Sequence, residues 1–125
     1  MKGKINLLDC TLRDGGYYTN WHFSEKTVKN YINSISKTPI KYVEIGFRFL
    51  KREKTYGPFA FSKDDFVKKL NISKKIKLCL MINAKEFLNK KNNLKNVILN
   101  NFSKKNKKLS IYNYFTECNF MLFKT

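Results

Sequence analysis

The stretch Asp9-Cys10-Thr11-Leu12-Arg13-Asp14-Gly15-Gly16 decides how this chain is read. Ile5-Asn6-Leu7-Leu8 precedes it, short and apolar enough for a buried strand. Tyr17-Tyr18-Thr19-Asn20-Trp21-His22-Phe23 follows, aromatic and polar with no helical period, and reads as a loop. Three charges and a glycine pair therefore stand where a strand ends and a loop begins. In parallel α/β folds that edge is where ligands bind. Gly15 and Gly16 permit positive φ or the close approach of a ligand. A tight turn with a solvated ion pair would use the same residues.

Outward from this stretch the pattern is β–α. Strand one is expected over about 4–9, and Ser24 is a good N-cap for a helix. In that helix Val28, Tyr31, Ile32 and Ile35 recur at helical spacing, and it ends near Ser36, ahead of Thr38-Pro39. Strand two covers about 41–47. A charged loop runs from Arg48 to Gly57-Pro58. Ser62 with Asp65 fits a capping box for a short helix with an apolar edge of Phe66, Val67 and Leu70. Strand three covers about 76–82. Asn83 can cap a third helix over about 84–101, and 103–108 is a Lys-rich linker. Residues 109–114 suit a fourth strand. Strand starts recur about every 35 residues, the rhythm of parallel strands joined by helical crossovers. That periodicity gives α/β, and a doubly wound sheet would share it.

The octet resembles the signature of the metal-dependent aldolase and lyase superfamily of TIM barrels. HMG-CoA lyase, 4-hydroxy-2-oxovalerate aldolase and the isopropylmalate and homocitrate synthases belong to it. Weaker similarity runs through Tyr42-Val43-Glu44-Ile45-Gly46-Phe47 to Met81-Ile82-Asn83 and is gone beyond about residue 110. The resemblance implies that 1–110 form the first three to four β–α units of a (β/α)8 barrel. A complete barrel needs roughly 200–250 residues, and this chain has 125. Residues 111–125 are left as an unassigned aromatic tail. It is expected to be out of frame, the frame of a longer gene being lost between about 103 and 112. The alternative is a native tail whose Tyr112, Tyr114, Phe115, Phe120 and Phe123 cover the open edge of the sheet.

The family makes or breaks a carbon–carbon bond beside a carbonyl, through an enolate. Resemblance implies that Arg13 stabilises the enolate oxygen and that Asp14 ligates a divalent metal, Mn²⁺ or Mg²⁺. Glu44 stands where relatives carry an acidic residue able to take part in proton transfer; a Glu bonded to a neighbouring Lys or Arg would read the same. Tyr17 occupies a position at which relatives often carry a substrate-contacting His or Gln. His22, the only histidine, is a candidate acid/base in the loop or an exposed loop residue. Asp9 is expected to accept hydrogen bonds from the following turn. The family's late-strand His-x-His metal pair is missing, so Asp14 and Glu44 alone are not expected to hold a metal. The implied substrate is a small oxo-acid or acyl compound, and the chain alone is expected to be inactive.

The net charge of +17 raises a second class, a small basic module that binds nucleic acid or another polyanion. Only Arg13, Arg48 and Arg52 among the 26 basic residues are arginine, the usual reader of phosphates and guanine edges. No specific nucleic acid is therefore expected. A third class is a non-catalytic subunit that needs a companion chain or a homo-oligomer. Cys10, Cys79 and Cys118 have no zinc spacing and are read as reduced thiols of a cytoplasmic protein. No apolar run approaches the ~18 residues of a membrane span.

Overall fold

A computed structural model describes residues 5–83 and Glu86, together with two strands over 109–113 and 119–124. The elements in order are β1 (Leu8–Asp9), α1 (Thr11–Thr19), α2 (Glu25–Ile35), β2 (Tyr42–Phe47), α3 (Pro58–Phe61), α4 (Asp64–Lys69), β3 (Lys77–Asn83), β4 (Leu109–Asn113) and β5 (Asn119–Lys124). The first three strands are parallel neighbours, with Leu8 opposite Tyr42 and Tyr42 opposite Lys77. Helices connect them, so the chain is α/β and made of βα units, as the periodicity predicts.

β2 is the central strand of the three. Val43, Glu44, Ile45, Gly46 and Phe47 are all buried, as a parallel strand covered on both faces requires. Gly46 is needed for closeness. A Cβ there would lie 2.1 Å from the Phe59 carbonyl oxygen, so α3 reaches the strand only because that side chain is missing. The register with β3 shifts between Glu44 and Gly46, the kind of irregularity that glycine in a strand accommodates. α2 lays Val28 and Ile35 into the core, and its N-terminus is closed by Ser24, whose Oγ accepts from Thr27 N at 3.1 Å.

The buried strand expected over about 4–9 is only Leu8–Asp9, and Ile5 and Leu7 are exposed. The sequence reading needs four further corrections. The stretch after β1 is not a loop: Thr11–Thr19 is a helix, and neither Gly15 nor Gly16 has positive φ. Asp9 starts it, its carboxylate accepting from Thr11 N and Thr11 Oγ1, both at 3.1 Å. Gly16 serves packing instead, since a Cβ there would fall 2.0 Å from the Trp21 ring. The left-handed residues of this stretch are Asn20 and Trp21, φ 49° and 57°, which turn the chain out of the helix.

Second, the capping box does not form. Ser62 is left-handed at φ 34° and ends α3, donating to the Phe59 carbonyl at 2.9 Å, while Lys63 precedes α4. Third, the charged loop does end at Gly57-Pro58, but a helix the sequence did not suggest, α3, opens there with proline at its first turn. Fourth, β4 is not a fourth parallel neighbour. The sheet order is β1-β2-β3-β5-β4. β5 runs antiparallel along β3, with Cys79 opposite Phe123 and Asn83 opposite Asn119, and β4 pairs antiparallel with β5. The tail thus contains a strand, where the sequence suggested no element. The third helix expected over 84–101 lies outside the described residues, apart from Glu86. No described helix is long and apolar enough to cross a membrane.

Candidate active site

The register of the sheet builds the site. Asp9 pairs with Val43, so the residue after β1 comes beside Glu44, the next residue of β2. Cys10 Sγ lies 3.5 Å from Glu44 Oε2. One turn into α1, Arg13 reaches back across the strand end, and its Nε donates to Glu44 Oε1 at 3.0 Å. Arg13 Nη1 also contacts Asp14 Oδ1 at 2.5 Å. Glu44 is wholly buried, whereas the Asp14 side chain is 60% exposed. The guanidinium therefore joins a sealed carboxylate to one that faces solvent.

Burial pushes the Glu44 carboxyl above its ordinary 4.5, and the charge of Arg13 only partly offsets it. Burial alone would weaken the charge on Arg13, but Glu44 and Asp14 outweigh that and raise its pKa. The Cys10 thiol is pushed up to about 11, first by burial and then by the Glu44 charge. It is a poor nucleophile for that reason. Cys79, opposite Glu44 in β3, is raised further by its burial.

Tyr31 of α2 donates from its hydroxyl to Asp9 Oδ1 at 2.5 Å, tying the second helix to the residue that starts the first. Burial and this hydrogen bond raise the tyrosine pKa. Sequence reasoning marked Tyr31 only as a core position. A bond to a residue 22 positions away leaves no local pattern.

Arg13, Asp14 and Glu44 are thus brought together. Tyr17, one turn beyond Arg13, is 56% exposed and packs edge-on against Trp21 and Phe47, with ring centroids 5.0 and 6.0 Å apart. His22 is exposed, and its Nε2 lies 3.2 Å from the carbonyl of Thr55 rather than at Glu44 or Arg13.

The described residues do not complete a divalent metal site. They contain no group of three or more His, Cys, Asp or Glu able to hold an ion. Glu44 and Asp14 are both engaged by Arg13, while Mg²⁺ or Mn²⁺ calls for a set of oxygen donors. What the arrangement offers is a fixed guanidinium. Its contacts with Glu44 and Asp14 use Nε and Nη1 of a group that carries five N–H donors.

Parallel βα units carrying a charged cluster, Arg13 between Glu44 and Asp14, at the end of the first strand define the class of this chain. It is a partial βα-unit fold with its charged chemistry at a strand terminus. The chain is similar to the crystal structure of the N-terminal domain of a putative aldolase from Bacteroides vulgatus. Identity is 44% over 59% of this chain and 25% of that one, with a TM-score of 0.54. This fits an aldolase-like N-terminal portion. The chain spans about a quarter of that structure's length. No family model and no curated protein matches the chain.

Proposed function

We propose that this chain is the N-terminal part of an aldolase- or lyase-type (β/α)8 barrel of the metal-dependent superfamily. Within it Arg13 is the cation that meets the enolate oxygen. The observation that carries the proposal is the Arg13–Glu44 pair, a guanidinium held across the ends of two parallel strands by a buried carboxylate. Similarity to the aldolase N-terminal domain supports the reading.

Cleaving the bond beside a carbonyl moves an electron pair onto the carbonyl oxygen. A donor already fixed where that charge develops lowers the barrier without reorganising. Glu44 is the fixing group for Arg13. A carboxyl whose pKa is raised by burial also carries a proton closer to neutrality than an ordinary one. Tyr17, half exposed one turn from Arg13, would meet the far end of a small 2-oxo acid or acyl substrate.

In the family a divalent cation supplies Lewis-acid polarisation of the substrate oxygens. Asp14 is the residue that resemblance assigns to it, and the rest of that site would come from further β–α units.

The test is a chimera. The stretch of the Bacteroides vulgatus protein that matches this chain is replaced by the matching residues of this chain, and retro-aldol cleavage of a 4-hydroxy-2-oxo acid is assayed beside the parent. Cleavage by the chimera is expected, and none by this chain alone. A folded chimera that is inert where the parent is active would overturn the proposal.

A further inference from the structure

A cleft of about 730 Å³ opens between the segment that follows β2 and the helices α3 and α4. Small-molecule sites commonly enclose ~300–1,000 Å³. Its floor is aromatic, formed by Phe49, Tyr56 and Phe61, and its rim carries the exposed cations Arg52, Lys54 and Lys63. Among the described residues Glu53 is the one carboxylate in the lining, so the described rim carries a surplus of positive charge. None of these residues belongs to the Arg13 cluster.

The floor is braced before any ligand arrives. Phe49 stacks on Phe47 at 4.5 Å with the rings 13° apart. Trp21 lies edge-on to both Phe49 and Tyr56, at 5.7 and 5.0 Å. The backbone is pinned along the same segment. Phe49 N donates to the Ala60 carbonyl at 3.1 Å, Leu50 N to Glu86 Oε2 at 2.6 Å, and Gly57 N to the Asn20 carbonyl at 2.8 Å. A site ordered beforehand loses less entropy on binding. The cleft also lies past the C-terminal end of β2, the end at which parallel sheets bind ligands.

We propose that this cleft binds a phosphorylated ring compound of mononucleotide size, its ring on the aromatic floor and its phosphate among Arg52, Lys54 and Lys63. Three cations less one carboxylate suit a phosphate monoester, which carries about −1.5 to −2 near neutral pH. The rings suit a planar group, for which stacking is the usual contact. Nothing in this depends on the aldolase reading.

Trp21 is the only tryptophan and touches the floor, so its fluorescence reports on the cleft. The whole chain is titrated with AMP, phenyl phosphate and inorganic phosphate. AMP and phenyl phosphate are expected to give saturable 1:1 curves, with inorganic phosphate at least about ten-fold weaker. The double variant Arg52→Gln/Lys54→Gln should weaken AMP about ten-fold, and Phe61→Leu should weaken AMP but leave inorganic phosphate unchanged. Amide shifts in the wild-type NMR spectrum keep the test independent of variant folding. Shifts confined to 49–66 support the site, and shifts spread over the lysines of α2 overturn it. Equal affinity for inorganic phosphate, or oligonucleotide binding that AMP does not displace, would reduce the cleft to a polyanion-adsorbing surface.

Discussion

Replacing Arg13 with alanine removes the partner of a wholly buried carboxylate, and the consequence can be worked through from the geometry. Arg13 Nε and Glu44 Oε1 are 3.0 Å apart. At an effective dielectric near 20, a charge pair at this distance attracts by about 5 kcal/mol. Two effects reduce the net loss. The Arg13 side chain is 22% exposed and partly screened, and Glu44 without a partner takes up a proton rather than stay charged. Breaking a buried pair by removing one member costs about 3–5 kcal/mol, and the lower end applies to a pair with this exposure.

The loss has a definite pH dependence. The folded pKa of Glu44 already lies above the unfolded value of 4.5. Stability from such a group is present in full below the unfolded pKa and falls as pH rises through the folded pKa. Arg13 is what limits that fall, because its charge lowers the folded pKa. Arg13→Ala should therefore destabilise most at neutral and alkaline pH, and least as pH drops toward 4.5. Urea denaturation of both proteins across that range measures it. Adding Glu44→Gln to Arg13→Ala removes the buried charge and should recover part of the stability at pH 8. A cost under about 0.5 kcal/mol at pH 8, or one independent of pH, would refute the reasoning.

Two other substitutions or probes follow from single contacts. Gly46→Ala forces a Cβ to within 2.1 Å of the Phe59 carbonyl oxygen, so α3 must move, at a cost of about 1–3 kcal/mol in chemical denaturation. Cys10, with its pKa pushed up to about 11, should react with iodoacetamide at pH 8 roughly 100-fold more slowly than an ordinary exposed thiol. Glu44→Gln should speed that labelling, since the Glu44 charge is part of what holds the proton on sulfur.

The parts of the fold legible in sequence are those fixed by local pattern. Residues 41–47 read as a strand, and Tyr42–Phe47 is one, while Ser24 reads as a cap because its hydroxyl accepts from Thr27 N. α1 was not legible, because adjacent glycines read as a turn. Only the tertiary fit of Gly16 against Trp21 explains why they stand in a helix. Hindsight offers one signal: Asp9 two residues before Thr11, with Leu12 and Gly16 buried a helical turn apart. Ser62 and Asp65 had the spacing of a capping box, yet Ser62 is taken by the left-handed end of α3. The meeting of Arg13 with Glu44 was within reach, since parallel pairing of two successive strands brings their ends together. Tyr31 on Asp9, and β5 beside β3, depend on contacts between distant segments that no periodicity records.

The most direct test of the central claim compares kcat for cleavage of a 4-hydroxy-2-oxo acid by the chimera with and without Arg13→Ala, both verified as folded. A preformed charge stabiliser at the enolate oxygen is worth about 10²–10³ in kcat, and a loss of that size with little change in KM is predicted. A folded variant that keeps kcat within about three-fold would contradict the assignment of Arg13 as that stabiliser.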